Sequence, residues 1–130
     1  MPFRITFPTR HTDTFASTGF VHAGVMLGLT ELAYAAFEEH TGVSKPGYVV
    51  AVQRETHATY MRPLAWQDGA EVKVETLAAD ARGFEQRCTV LNSKSGETVA
   101  VFTHRYAWLN TKTGKSEALS QDVQDRFLKG

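Results

Sequence analysis

Between Val25 and Phe37 the chain is almost free of charge, and Glu31 is the one fully charged side chain inside that stretch. Burying an unpaired carboxylate costs several kcal/mol or forces its pKa upward, so such a residue needs a reason to be there. One reason is chemistry, with Glu31 as nucleophile or general base. The other is an ion pair, and Arg54 and Arg105 are the cations that could answer it. Nine positions before Glu31 stands His22, followed by Ala23 and Gly24. A helix beginning here leaves unpaired backbone N–H groups around Phe20 to Gly24. These groups and the positive end of the helix dipole suit a carbonyl oxygen that gains negative charge. The small residues Ala23 and Gly24 allow a substrate close to the backbone. His22 reads either as a group that orients or donates to that substrate, or as a helix cap.

The elements that must position these residues follow from composition and periodicity. Val21 to Glu39 holds no proline and is rich in Ala, Leu, Met and Glu, and His40-Thr41-Gly42 is expected to end it with Gly42 as the residue just past the helix. From Val25 to Phe37 only Thr30, Glu31 and the tip of Tyr34 are polar, which predicts a helix buried on most sides. The N-terminal residues alternate as a strand. A long extended run from Tyr48 to about Tyr60 is closed by Arg62-Pro63. Ala70 to Thr76 alternates between core and charge. Turns at Arg82-Gly83 and at 92–96 lead into strands over Phe84 to Leu91 and Thr98 to Leu109, and Ser120 is placed to cap a short helix ending near Phe127. One helix followed by consecutive strands excludes a doubly wound fold. It predicts an α+β domain over residues 1–130, an antiparallel sheet curled around the long helix.

Composition narrows the function. The 130 residues carry 14 basic and 14 acidic side chains, so no net field draws the protein to nucleic acid or to an anionic membrane. Cys88 is the only cysteine, which excludes an internal disulfide or a cysteine-based zinc site and fits a reducing, cytoplasmic setting. Its chemistry is expected to be that of a small buried residue. The longest apolar stretch, Val21 to Phe37, is too short to cross a bilayer, and the N-terminus lacks the apolar core of a signal peptide. His57 and His104 stand at no metal-ligand spacing, and no metal is expected. His104 instead shares a strand face with Phe102, Tyr106 and Trp108, read as core or dimer packing.

Three segments together resemble the hotdog-fold thioesterases, in particular the 4-hydroxybenzoyl-CoA thioesterase-like superfamily, over essentially the whole chain. The first is Gly19-Phe20-Val21-His22-Ala23-Gly24-Val25 with Leu27, Leu29 and Glu31 following. The second is Tyr60-Met61-Arg62-Pro63-Leu64, then Asp68-Gly69-Ala70-Glu71-Val72. The third is the closing strand at Leu109-Asn110 with Thr113-Gly114-Lys115 after it. The resemblance implies a hotdog fold of about five strands around one central helix, with a short C-terminal helix. It also implies hydrolysis of an acyl-CoA or acyl-carrier thioester, with no cofactor beyond the CoA of the substrate. A homodimer or dimer of dimers is implied as well, with sites at the subunit boundary.

By the same resemblance Ala23 takes the position of the oxyanion-hole glycine, and Glu31 is the helix carboxylate. A partner helix across the dimer is then a further group that could hold Glu31 by a hydrogen bond. A second layout in the family places an essential Asp before the helix, three residues ahead of the glycine that is Gly19 here. This chain has Ala16 there, with Asp13 six residues from Gly19 and beside Thr12 and Thr14. Asp13 is therefore an alternative catalytic carboxylate or a loop-capping group. Ala16 also stands where the Glu-type layout has Gln or Asn, and Ala35 where some members have Thr. Arg62, and with it Arg54 and Arg82, are candidates for CoA phosphates, or Arg62 is an exposed strand-end charge. Two other functions remain in view. One is a non-catalytic acyl-CoA-binding module; the other is an acyl-thioester hydratase or dehydratase, for which no Asp-His motif is present.

Overall fold

A computed structural model describes residues 2–15 and 17–130. The order is β1 (Phe3–Phe7), α1 (Ala23–Thr41), β2 (Val49–Tyr60), β3 (Ala70–Ala79), β4 (Gly83–Asn92), β5 (Thr98–Asn110), β6 (Lys115–Ser116) and α2 (Gln121–Lys129). Two short 3-10 turns, His11–Asp13 and Trp66–Asp68, were not anticipated, nor was the two-residue β6. The sheet is antiparallel with strand order β1-β3-β4-β5-β2, and β6 pairs the end of β5. The twelve-residue β2 pairs only with β5 and so forms one edge of the sheet.

Alternation decides what each face of the sheet meets. On β3, Ala70, Val72 and Val74 are fully buried toward α1, while Glu71, Lys73 and Glu75 point outward. Outward charges meet across strands, as in Arg4–Glu71 at 2.8 Å, Arg87–Glu75 at 3.4 Å and Arg105–Glu85 at 3.6 Å. Exposed pairs of this kind contribute roughly 0–1 kcal/mol each, so they mark a solvated face and do not hold the fold. The inner face carries Phe84, Phe102, His104, Tyr106 and Trp108, all buried.

α1 begins at the cap residue His22, whose Nδ1 accepts from the Val25 N–H at 3.4 Å. It ends where Gly42 takes φ 66° and donates its N–H to the Glu39 carbonyl, as expected of a left-handed stop. Met26, Leu29, Thr30, Ala33 and Phe37 are buried against the sheet. The expectation of a helix buried on most sides does not hold. Ala23, Gly24, Glu31, Leu32 and Ala35 are exposed, and Leu32 shows 58% of its surface. One curled sheet covers one side of a helix, and the low polarity of the other side has a different cause. α2 covers the open end of the core through Val123 and Phe127, whose ring packs on Phe37, Phe84 and Trp108. Ser120 stands at its N-cap position but makes no side-chain capping bond.

The hairpin into β4 depends on a close backbone approach. A Cβ placed on Gly83 would collide with the carbonyl oxygen of Tyr106 on the paired strand. That oxygen belongs to backbone and cannot swing aside. Gly83→Ala is therefore expected to destabilise the protein by about 2 kcal/mol or more, read as a lower midpoint in urea unfolding. An unchanged midpoint would show that the two strands can separate there at little cost.

Candidate active site

The segment before α1 is pinned by backbone bonds to the loop after β2. Val21 donates to the Leu64 carbonyl at 2.8 Å, and Trp66 donates to the Gly19 carbonyl at 3.2 Å. Leu64 itself is fully buried, so this clasp is anchored in the core. The Arg62-Pro63-Leu64 turn thus sets where the helix begins. Its consequence is a cleft of about 410 Å³ lined by Phe15, Val21, His22, Ala23, Met26, Tyr60, Met61, Arg62 and Pro63. Phe15, Tyr60 and Met61 are each more than half exposed at its wall.

The structure brings His22, Ala23 and Arg62 together at this cleft. Val25 donates to both the carbonyl and Nδ1 of His22, and Met26 donates to the same carbonyl. The N–H groups of Ala23 and Gly24 meet no protein acceptor among the described residues. Because Nδ1 of His22 accepts, the neutral ring carries its proton on Nε2, a donor available beyond the helix end. His22 is a cap, as one of its two readings had it, and remains able to donate. Arg62 pairs with Glu97 at 3.0 Å, both ends more than half exposed.

Asp13 is engaged in its own turn. Its Oδ2 accepts from the Arg10 N–H at 2.8 Å, and its backbone carbonyl accepts from the His22 N–H at 3.1 Å. That is the loop-capping role weighed for it. Ala16, where the family patterns carry Asp, Gln or Asn, lies outside the described residues. Arg54 and Arg82 line a different cleft of about 620 Å³ with Glu55, Glu85 and Arg105, away from the helix start.

Glu31 lies on the open stripe of α1 and is not buried within one chain. Among the described residues it has no ion pair: Arg105 is taken by Glu85 and Glu55, and Arg54 does not reach it. The structure therefore overturns the idea that either arginine accounts for Glu31. Eight residues of helix separate Glu31 from Ala23, about 12 Å along the axis. Within one chain the carboxylate and the free N–H groups cannot both reach one carbonyl.

Behind Glu31 runs a polar layer that reading the sequence did not assemble. Thr30 and His104 are both fully buried, with Thr30 Oγ1 2.9 Å from His104 Nε2. On the other side of the ring, Nδ1 is 3.0 Å from Thr56 Oγ1 on β2. The Gln53 amide lies 3.0 Å from Thr56 Oγ1 and 3.3 Å from the Tyr106 hydroxyl. Gln86, opposite His104 in the register, bonds Thr76 through Nε2, while its Oε1 is buried without a partner among the described residues. Polar residues at inward positions, Gln86 between Phe84 and Cys88 and His104 between Phe102 and Tyr106, were the available signal. The bulge between Gln53 and Glu55 hid the rest, because it turns both Gln53 and Thr56 inward at odd spacing. Burial pushes the Tyr106 phenol up to about 12, with Glu31 nearby adding to the rise. Burial also pushes the Cys88 thiol up to about 12, which makes it a poor nucleophile.

A single helix held in a curled antiparallel sheet of this order is the hotdog fold. The model of the thioesterase-like superfamily matches residues 10–127, and the chain belongs to that family. No sequence among the curated proteins matches it. Among solved structures it is similar to a 1,4-dihydroxy-2-naphthoyl-CoA thioesterase from Synechocystis, with 17% identity, a TM-score of 0.82, and 98% of this chain and 96% of that one covered. A thioesterase from Thermus thermophilus complexed with coenzyme A and Zn is similar at 22% identity and a TM-score of 0.79, covering 95% and 90%. A Staphylococcus aureus protein solved in complex with CoA reaches a TM-score of 0.85 at 16% identity, covering 99% and 85%. At these identities the likeness is one of fold. No helix here is long and apolar enough to cross a membrane, and the described residues hold no group of three His, Cys, Asp or Glu that could bind a metal.

Burial holds the His104 ring neutral, its pKa lowered from 6.5 to about 4. As pH falls below 6.5 the unfolded chain takes up this proton first, so stability is complete above that point and is lost on the way down to about pH 4. The depression corresponds to on the order of 3 kcal/mol. Urea unfolding of the wild type is expected to weaken more steeply across that window than that of His104→Gln. Parallel profiles would mean that His104 titrates normally.

Proposed function

We propose that the protein hydrolyses an acyl-CoA or acyl-carrier thioester at a site completed by a second copy of the chain. One observation carries this reading: the open stripe of α1 bears free N–H donors at one end and an unpaired carboxylate at the other. Gly24, Gly28, Glu31, Leu32 and Ala35 recur at helical spacing, and Gly24 and Glu31, seven apart, lie on the same side. The midpoint between those two falls beside Gly28, where an added Cβ meets nothing within 4 Å in the single chain. Two such helices crossing there about a two-fold axis would set Glu31 of each against Gly24 of the other. The unpaired edge of β2 and the stripe, apolar apart from Glu31, support the same association as a homodimer or dimer of dimers.

In that arrangement the Ala23 and Gly24 N–H groups receive the thioester oxygen as it becomes an oxyanion, and His22 Nε2 is placed to donate or to orient the ester. Either Glu31 takes a proton from the attacking water and passes it to the departing thiolate, or it attacks the carbonyl carbon to give a mixed anhydride and CoA thiolate. In the second route water then cleaves the anhydride, releasing the acid and supplying the proton the thiolate takes up. Arg62 stands at the mouth of the cleft, and its exposed pair with Glu97 is weak enough to exchange for a CoA phosphate. Family membership supports thioester chemistry, and the thioesterase and CoA complexes among structures of like fold support a CoA ester. A single chain, with Glu31 about 12 Å from the helix start, favours instead an acyl-CoA-binding module that does not cleave.

A panel of acyl-CoAs from short aliphatic to aromatic, with free CoA followed by a thiol reagent, separates these readings. Glu31→Gln is expected to lower kcat by about a hundredfold or more, while Asp13→Asn, affecting a turn cap, retains most turnover. The reverse pattern would transfer the role to Asp13. CoA esters that bind without hydrolysis by the wild type would establish the binding module.

Gly28→Leu tests the partner directly, since the single chain has room for the side chain. Sedimentation is expected to show dissociation together with loss of hydrolysis. A fully dimeric, active variant would place the interface elsewhere.

A further inference from the structure

The apolar contacts of α1 with the sheet, through Met26, Leu29, Ala33 and Phe37, are non-directional and tolerate small slides along the helix axis. Among the described residues, Thr30 to His104 is the only side-chain hydrogen bond between α1 and the sheet. Thr30 Oγ1 also lies 2.7 Å from the Leu27 carbonyl, within its own helix turn. His104 meets Thr30 Oγ1 through Nε2 and Thr56 Oγ1 through Nδ1. Thr56 Oγ1 donates to Gln53 Oε1 at 3.0 Å, and Gln53 Nε2 donates to the Tyr106 hydroxyl at 3.3 Å. The row runs from the edge strand β2 through His104 on β5 into the helix turn that precedes Glu31.

We propose that Thr30 and His104 are positioning residues for the Glu31 carboxylate: their bond sets where along the sheet the Glu31 turn stands, and Thr56 refers that position to β2. This rests on the hydrolase reading above. Thr30 and Glu31 are consecutive, one facing the sheet and the other the open stripe, so a displacement of Thr30 is passed to Glu31 through backbone alone. Reaction at a carbonyl shared between two chains is sensitive to displacements of about 1 Å, which can lower turnover by on the order of a hundredfold.

The test compares wild type, Thr30→Val and Thr30→Ser in the acyl-CoA assay, with thermal unfolding and 15N NMR of the histidine rings on the same samples. Valine keeps the shape of threonine and removes the hydroxyl; serine keeps the hydroxyl. Thr30→Val is expected to fold, to hold KM within about twofold and to lose kcat by about tenfold or more, and Thr30→Ser is expected to recover most of that loss. The His104 ring signals are expected to shift in Thr30→Val and to return toward the wild-type position in Thr30→Ser. A variant with a lower Tm but unchanged kcat, or a serine variant no better than valine, would overturn the positioning role while leaving the hydrolase reading intact. His104 ring signals unmoved by Thr30→Val would overturn the Thr30–His104 bond itself. A wild type that hydrolyses nothing, with the His104 signals responding to Thr30→Val, would overturn the hydrolase reading and the role that depends on it.

Discussion

A lone apolar helix cannot be covered by a single sheet, and the rest of this structure depends on that constraint. The curled sheet buries the stripe Met26, Leu29, Thr30, Ala33 and Phe37 and leaves Gly24, Glu31, Leu32 and Ala35 uncovered. The covered stripe holds the helix in place, since truncating a buried aromatic such as Phe37 costs on the order of 3 to 5 kcal/mol. The uncovered stripe has no such role within the chain. In the proposed dimer its glycines would let another helix approach closely, and its single carboxylate would stand where a reaction could use it.

The two faces of the sheet divide polar groups by cost. Outside, alternating Arg, Lys and Glu meet across strands in water, where each pair adds little. Inside, Thr30, His104 and Gln86 are fully buried, and each unmade bond would carry the full desolvation penalty of its group. Polar side chains persist at such positions when their directionality is useful. An apolar layer of the same volume would pack as well and would not specify where α1 stops along the sheet. Gln86 Oε1, buried without a partner among the described residues, is the one part of this layer for which the structure offers no account.

The cleft at the start of α1 shows how little of a site needs to be local. Its polar end is made of the first N–H groups of the helix, but their place is fixed by Leu64 and Trp66 in a loop more than forty residues later in the chain. His22 caps the start of the helix and also lines the cleft, so one residue serves both. Asp13 and Arg62 lie close by with partners of their own, Arg10 and Glu97, and that separates them from Glu31, which has none among the described residues.

The sequence alone determined the long helix and the five main strands, because each rests on short-range periodicity. The alternation of Ala70 to Thr76, the proline-free helix ending at Gly42 and the turns at 82–83 and 92–96 all stand where they were read, with β3, β4 and β5 extending somewhat past the segments read. It also singled out Glu31, His22, Ala23 and Gly24, since an isolated charge in an apolar helix and small residues at its start are visible in one dimension. Tertiary structure alone decided which side of the helix is open and therefore that Glu31 is exposed in the chain. It decided too that Asp13 is spent on a turn, and that Thr30, Thr56 and His104 meet. Those residues are 74 and 48 positions apart in the two pairs. Their meeting depends on strand register and on the bulge in β2, and no local pattern carries either.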